Sequence, residues 1–183
     1  MRPGTRPAAL ALAALAAVAA CGRGDPKEGA PNPAAASSPN AAAPGAGLRP
    51  PENPDPAANT YAPALGVDLK QFRKTASGLY IRDDKVGRGA EAKVGTPVSV
   101  HYEGYLTDGK KFDASRDHGP PFQFTPGENQ VIKAWDEGIP GMRVGGRRTL
   151  VVPPDIGYGA LGSEPDIPAN AVLVFKVELT AVR

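Results

Sequence analysis

The segment GYGALG, Gly157–Gly162, sets three glycines and one tyrosine in the pattern G-x-G-x-x-G. This pattern binds the phosphates of a dinucleotide when a strand precedes it and a helix begins on its glycines. A β-rich run does precede it, but Pro165 and Pro168 stand where that helix would have to lie. Proline inside a helix costs about 3 kcal/mol or more, so the phosphate-binding turn cannot form. The sequence predicts instead a loop that displays Tyr158.

Few other side chains could carry out covalent or metal chemistry. The chain has two histidines, His101 and His118, and a single cysteine, Cys21. A structural zinc site takes four ligands, so we predict no metal and no cofactor, and His101 is expected to lie on the face of a strand. The G-x-S-x-G elbow of many serine hydrolases is absent. One cysteine also excludes an internal disulfide, and the folded domain must therefore be stabilised by its apolar core.

Four runs of β-forming residues would supply the framework. In Val172–Val182, the apolar residues from Leu173 to Leu179 recur at every second position and share one face, which is typical of a half-buried strand. The other three runs are GLYIRDD, TPVSVHYEGYL and RRTLVVPP. We predict an α+β fold in which a curved antiparallel sheet of four to six strands wraps around one short helix.

The segment NQVIKAWDEG predicts that helix. Val131, Ile132 and Trp135 recur at helical spacing and would share its buried face. Asn129 is the expected N-cap and Gly138 the expected stop after the last turn. A shorter segment, Val67–Lys74, is expected to hold a turn or two of helix at the start of a single domain that spans residues 64–183.

The N-terminus predicts a secretory signal over residues 1–20. Arg2 and Arg6 precede the apolar run Ala8–Ala20, which is shorter than the 20 or so residues that cross a bilayer. The four residues VAAC that end at Cys21 resemble the bacterial lipobox, in which the signal is removed and the cysteine is lipidated. An ordinary cleavage site within the same alanines and a short buried helix are the alternatives.

Proline, alanine and glycine dominate residues 21–63, which we predict to be a disordered tether because they cannot bury enough apolar surface to fold. Removal of residues 1–20 leaves 19 basic and 19 acidic side chains. A chain without net charge is a poor ligand for nucleic acid, whose binding depends on neutralised phosphates. Arg143, Arg147 and Arg148 form a local basic cluster, which we interpret as a solvated face.

From about Gly78 to its end, the chain resembles the FKBP-type peptidyl-prolyl isomerases, and with its signal and tether it resembles the exported lipoprotein forms of that family. The segments that carry the resemblance are VSVHYEGYLTDGKKFDASRD, PFQFTPGENQVIKAWDEGIPGMRVGGRRTLVVPP, IGYGALG and IPANAVLVFKVELTAV. The resemblance implies a deep apolar pocket between sheet and helix. Its implied lining is Tyr102, Phe112, Asp113, Phe122, Val131, Ile132, Trp135, Tyr158, Ile167 and Phe175.

The resemblance also implies a role for some of these residues. Trp135 would form the floor of the pocket, the Tyr158 hydroxyl and the Ile132 backbone N–H would donate to carbonyl groups of the bound peptide, and Asp113 would orient it from the rim. Taken singly, Tyr102, Phe112 and Phe175 are better interpreted as ordinary core residues, and it is their combination at the family's spacing that favours a pocket. The sequence departs from the family at the rim, because His118 stands where an arginine is common, and Ser163 and Asp166 replace a frequent histidine and a frequent aliphatic residue.

The function expected from this set is peptidyl-prolyl cis-trans isomerisation that assists the folding of exported proteins in the bacterial envelope. The expected partners are proline-containing polypeptides, rapamycin-type macrolides and, through Cys21, a membrane. Gly22 after the lipidated cysteine suggests the outer membrane, facing the periplasm or the cell surface. Only Val67–Lys74 stands where related isomerases often have a dimerisation helix, so a monomer is expected. The alternative is a chaperone or adhesion lipoprotein that binds proline-containing segments without useful turnover.

Overall fold

Seven antiparallel strands form one sheet in the part of the chain that the computed structural model describes, residues 53–183. The strands are β1 (Arg73–Lys74), β2 (Tyr80–Lys85), β3 (Val98–Leu106), β4 (Lys111–Ala114), β5 (Phe122–Phe124), β6 (Arg147–Val152) and β7 (Leu173–Val182). Their order in space is β1-β2-β6-β7-β3-β4, and β5 pairs with the start of β3. The predicted signal, Cys21 and the tether as far as residue 52 lie outside the described residues.

The antiparallel α+β architecture is confirmed, but the sheet has seven strands rather than four to six. β1 has two residues and β5 three, and runs this short cannot show the alternation by which strands are recognised. β1 occupies the end of the segment expected to be helical, which instead holds a single 3-10 turn over Leu69–Gln71 followed by extended backbone.

The predicted alternation along β7 does separate two apolar clusters. Leu173, Phe175, Val177 and Leu179 belong to the main core beneath the helix, whereas Val174 packs on the opposite face of the sheet. β3 and β6 flank β7 on either side and are paired with it along nearly their whole length. The three central strands therefore form a rigid platform, and one face of it is available to build a pocket.

Two short helices lie in the described residues, α1 (Ser115–His118) and α2 (Lys133–Gly138). The predicted helix α2 exists, but it begins four residues later than Asn129, at Lys133, and no side chain caps it. Asn129 instead has a φ of 55°, the left-handed conformation of a turn residue. Gly138 is the last residue of α2 and not the residue that follows it. Within the described residues, no helix is long and apolar enough to cross a membrane.

An N-terminal segment, residues 53–72, crosses the face of the sheet opposite α2, and we call it the strap. It contains 3-10 turns over Pro56–Ala58 and Pro63–Leu65, and Leu65 is only 3% exposed. The Ala62 N–H donates to the Thr107 carbonyl at 2.8 Å. Residues 53–63 therefore have defined contacts with the domain, although composition placed them in the tether, because a few apolar residues among the prolines suffice to cover an exposed sheet face.

Candidate functional site

The aromatic side chains predicted for the pocket surround Trp135, which α2 holds with no solvent exposure. The centre of the Trp135 indole lies 4.9 Å from the ring of Tyr102, 5.5 Å from Phe175 and 6.1 Å from Phe122. All three rings meet the indole nearly edge-on, the arrangement that aromatic quadrupoles favour. Trp135 is thus the floor of an aromatic box whose walls come from β3, β5 and β7.

The structure brings all the predicted pocket residues together in this region. Six of them are buried in the main core and three are half-buried against it, while Asp113 reaches the group through a hydrogen bond to one of its members. The buried six are Tyr102, Val131, Ile132, Trp135, Ile167 and Phe175, and the half-buried three are Phe112, Phe122 and Tyr158. Cys21, the predicted lipidation site, lies outside the described residues.

Phe124 belongs to the same box but was not predicted as a member. Its ring lies 5.6 Å from Trp135 and is stacked on Phe122 at 5.9 Å. The segment FQF, Phe122–Phe124, carries a sequence signal for this, since two aromatic residues two positions apart share one face of a strand. Three residues are too few for that signal to distinguish a strand from a loop.

The Asp113 carboxylate is held by two side chains at the mouth of the box. The Tyr102 hydroxyl donates to Oδ2 at 2.5 Å, and His118 Nε2 lies 2.9 Å from Oδ1. Burial raises the pKa of Tyr102 well above its usual value, and the bond to Asp113 and its charge raise it further. The phenol therefore remains a proton donor, and it links the rim of the pocket to the aromatic core.

Tyr158 presents a hydroxyl that no described group accepts from. Burial, and then the charge of Asp113, raise the pKa of this phenol above its usual value, so it stays protonated at neutral pH. The residue lies in the predicted loop, fixed by the Gly159 N–H donating to the Pro154 carbonyl at 2.9 Å. The Ile132 N–H likewise has no acceptor among the described residues, because α2 begins only at the next residue. Two donors at the box are thus free for a ligand.

A tight turn over residues 163–167 forms the far rim. Ser163 and Ile167 exchange two backbone hydrogen bonds of 2.8 Å, and Ile167 is buried in the wall of the box. Gly162 begins the turn with a φ of 68°, and a Cβ there would lie 2.3 Å from the Ile167 carbonyl oxygen. Asp166 points outward, 3.8 Å from Lys110 Nζ. The sequence departures at Ser163 and Asp166 therefore change the outer rim and leave the floor intact.

The histidine and the arginines singled out in the sequence lie outside the aromatic box. His101 faces the opposite side of the sheet, where its Nδ1 lies 3.0 Å from the Ser115 hydroxyl. Of the three arginines of the local basic cluster, Arg143 contacts Glu91 and Arg147 contacts Glu178. Arg148 lies on the α2 side of the sheet, where it is only 7% exposed, contacts Asp83 and donates to the Gly138 carbonyl. The interpretation of the cluster as a solvated face is therefore wrong for Arg148. No group of three or more histidine, cysteine, aspartate or glutamate side chains in residues 53–183 could hold a metal ion. The aromatic box is accordingly the candidate functional site.

Comparison with known proteins places this site in a family. Residues 89–180 match the sequence profile described as FKBP-type peptidyl-prolyl cis-trans isomerase. The FK506-binding protein of Neisseria meningitidis serogroup B is 50% identical over 105 residues, which cover 57% of this chain and 96% of that protein. FK506-binding protein 1A of Neurospora crassa is 48% identical over 107 residues, which cover 58% of this chain and 89% of that protein.

Solved structures agree with the sequence relatives. The crystal structure of AtFKBP13 superposes with a TM-score of 0.58 at 40% identity, covering 61% of this chain and 98% of that one. FkpA from Escherichia coli superposes with a TM-score of 0.57 at 39% identity, covering 62% of this chain and 52% of that one. The family match over residues 89–180 includes β3 to β6, most of β7, α2 and every residue of the aromatic box.

Proposed function

Because the chain belongs to the FKBP-type peptidyl-prolyl cis-trans isomerase family, we propose that the aromatic box accelerates Xaa-Pro rotation in exported proteins of the bacterial envelope. The observation that carries this proposal is the pair of unused donors, the Tyr158 hydroxyl and the Ile132 N–H, above a dry aromatic floor. They can bind the carbonyl groups of an extended peptide while its proline ring rests on Trp135.

Rotation about a peptide bond is slow because resonance flattens the amide, with a barrier of about 18–20 kcal/mol. In the twisted transition state that resonance is lost, and the carbonyl becomes more ketone-like and less polar. An apolar, water-poor box therefore favours the twisted state over the planar amide. Each tenfold acceleration requires only about 1.4 kcal/mol of preferential binding to the transition state. The mechanism needs no nucleophile, metal or proton transfer.

Each site residue has a defined part in this mechanism. Trp135 supports the proline ring, and Tyr158 and Ile132 fix the carbonyl groups on either side of the rotating bond. Asp113, fixed by Tyr102, orients the bound peptide from the rim of the box. The other wall residues exclude water. These are Phe112, Phe122, Val131, Ile167 and Phe175.

Macrolides of the FK506 and rapamycin type would compete with the peptide substrate for the aromatic box. Two of the similar proteins are named FK506-binding proteins, and this chain has a fully buried aromatic floor in Trp135. We propose that such a macrolide binds over Trp135 and blocks turnover, with an affinity altered by the Asp166–Lys110 contact at the rim.

The first experiment measures cis-trans exchange of a blocked Leu-Pro peptide by NMR with a soluble form that begins at Gly22. We expect acceleration that rapamycin abolishes. Tyr158→Phe should lower kcat/KM by about two- to tenfold, the worth of one hydrogen bond. Tyr80→Phe, on the opposite face of the sheet, is the matched control and should leave kcat/KM unchanged. Absence of acceleration at any enzyme concentration would refute the proposal.

A binding protein without turnover is the second candidate. The rim turn favours this second function, because Asp166 and Lys110, 3.8 Å apart, place two exposed charged groups at the outer surface of the pocket, where a peptide can contact them. The same NMR experiment, repeated at increasing protein concentration, separates the two functions. Saturable shifts of the peptide resonances without faster exchange would indicate a binding protein, whereas faster exchange that Tyr158→Phe reduces would indicate an isomerase.

The cellular location is a separate part of the proposal. We propose that cleavage after residue 20 exposes Cys21 for lipidation and that the tether holds a monomeric domain beside the outer membrane, supported by the VAAC segment and by a bacterial relative. The test is incorporation of radiolabelled palmitate in a bacterial host. Cys21→Ser should abolish the label and release the protein from the membrane fraction. Unchanged membrane retention of that variant would contradict the anchor.

A further inference from the structure

We propose that His118 is a proton-sensitive positioning residue for Asp113, so that isomerase activity increases as His118 takes up a proton. The inference rests on the proposed function, because Asp113 matters only if the aromatic box turns over its peptide. It concerns a departure in this chain, which has a histidine at a position where an arginine is common in the family it resembles.

The geometry gives the Asp113 carboxylate two different supports. Tyr102 donates to Oδ2, and because its pKa is raised by burial this donor is present at any physiological pH. His118 Nε2 faces Oδ1 at 2.9 Å, with the two side chains 31% and 18% exposed. A histidine nitrogen donates to a carboxylate only when it carries a proton, which the charged ring always provides and the neutral ring provides in one tautomer. One support is therefore permanent, and the other is present only when His118 carries a proton on Nε2.

The fold holds His118 in place through the short helix α1. Ser115, at the start of α1, is buried, and its hydroxyl accepts from the Tyr102 N–H at 3.0 Å, which ties the helix to β3. Lys111 and Asp117 form an ion pair of 2.7 Å that ties the helix to β4. His118 is the last residue of α1, before Gly119 with a φ of 104°. The imidazole is thus directed at Asp113 by an anchored element.

The charged groups around this pair leave the contact to His118. Lys111 on β4 is engaged by Asp117, and Arg116 on α1 by Glu178 of β7 at 3.2 Å. The two phenols near Asp113, those of Tyr102 on β3 and Tyr158 in the loop, are neutral because their pKa values are raised. Glu103 on β3 accepts from the Tyr105 hydroxyl. Among the described residues, His118 is therefore the side chain, besides Tyr102, that contacts the Asp113 carboxylate.

Loss of the His118 proton would loosen the rim. A hydrogen bond with an ionised donor and acceptor is roughly twice as strong as one with a neutral donor, and histidine changes its charge between about pH 5 and pH 8. When the ring is neutral, the carboxylate keeps Tyr102 but is held weakly at Oδ1, so it is free to rotate out of the orientation that the pocket uses. Preorganisation of the rim decreases, and kcat/KM decreases with it.

The experiment follows NMR exchange of an uncharged, blocked Leu-Pro peptide from about pH 5.5 to about pH 8, the interval in which histidine titrates. For the native side chain we expect kcat/KM to fall by about three- to tenfold as the pH rises, the difference between a charge-assisted and a neutral hydrogen bond. His118→Arg should remain at the low-pH value throughout, and His118→Gln at the high-pH value. Both variants should keep the melting temperature of the native protein, which a merely structural role would not predict.

The other histidine of the chain, His101, lies 3.0 Å from the Ser115 hydroxyl that anchors α1, so its contribution to the pH profile is measured separately. His101→Gln should keep the native pH profile. A native profile that is flat, or that rises with pH, overturns the inference, as does a slope that persists in His118→Arg. Any of these results with an active enzyme leaves the proposed function intact. If the protein does not catalyse the exchange at any pH, both the proposed function and the inference are rejected.

Discussion

At the scale of single residues, two tyrosines of the aromatic box differ in what they bind. The Tyr102 hydroxyl is committed to Asp113, whereas the Tyr158 hydroxyl has no acceptor among the described residues. Removal of a hydroxyl lowers stability when it leaves a buried partner without a hydrogen bond, and has little effect on stability when the hydroxyl has no partner in the protein. Removal of the Tyr102 hydroxyl should therefore affect stability, and removal of the Tyr158 hydroxyl should affect catalysis.

We expect Tyr102→Phe to lower the free energy of unfolding by about 1–3 kcal/mol, because the Asp113 oxygen loses its buried donor. Tyr158→Phe should change it by less than about 0.5 kcal/mol while it lowers kcat/KM. Urea unfolding of both variants, beside the exchange assay, checks the contrast. Equal stability loss in the two variants would mean that Tyr158 has an internal role that its contacts do not suggest.

At the scale of elements, the rim turn after the displayed tyrosine depends on one glycine. Gly162 and Gly159 both have a φ of 68°, but only at Gly162 would a Cβ meet backbone, at 2.3 Å from the Ile167 carbonyl oxygen. We expect Gly159→Ala to reveal the conformational penalty alone, about 1 kcal/mol. Gly162→Ala should add displacement of Ile167 and a larger loss of kcat/KM. Thermal unfolding and the exchange assay measure the two effects, and equal results for both variants would contradict this role of the turn.

The strap is the second element whose contribution can be measured. Leu65 is buried between the strap and the sheet face that carries Val151 and Val174. Leu65→Ala should lower the free energy of unfolding by about 2–4 kcal/mol through the cavity it leaves. Lys70→Ala, at an exposed position of the same segment, should change it by less than about 0.5 kcal/mol. If both variants unfold at the same urea concentration, the strap does not stabilise the sheet; in either case kcat/KM should stay unchanged.

The elements also show how far the sequence determines the structure. Alternation along Leu173–Val182 predicted both faces of the longest strand, because burial on a sheet repeats every second residue. Helical spacing placed Val131, Ile132 and Trp135 together, yet only Trp135 lies in α2. Spacing records which side chains are buried and not how the backbone brings them there. The Asn129 cap was wrong for that reason, and the unused Ile132 N–H at the site depends on the late start of the helix.

Some contacts could not be predicted from the sequence pattern. Nothing in DASRDH indicates that His118 returns to Asp113, since that contact depends on a four-residue helix, too short to have a period. Residues 53–63 of the strap were assigned to the tether because composition averages over a window, whereas a few local contacts, such as the hydrogen bond from the Ala62 N–H to the Thr107 carbonyl, decide whether a segment binds the sheet. The resemblance to a known family supplied the pocket residues as a set, which the individual residues could not.

At the scale of the whole molecule, protonated phenols on both faces of the sheet make stability sensitive to alkaline pH. Burial, together with the bond to Glu103 and its charge, raises the pKa of Tyr105 on the strap side to about 12. Burial also raises the pKa values of Tyr102 and Tyr158 on the pocket side. An unfolded chain releases a tyrosine proton near pH 10, so the native state holds these protons more tightly than the unfolded state does.

The sign of the effect follows from this difference. Stability from the three phenols is complete below about pH 10 and is lost as the pH rises toward the native pKa values, since the unfolded state gains the charge first. We expect the free energy of unfolding, measured in urea, to decrease from about pH 9 to about pH 11. Tyr105→Phe should reduce that decrease, because it removes one of the groups that titrate differently in the two states. A decrease as large in Tyr105→Phe as in the native protein would show that the Tyr105 proton is held no more tightly after folding, and that the contact with Glu103 is too exposed to bias its ionisation.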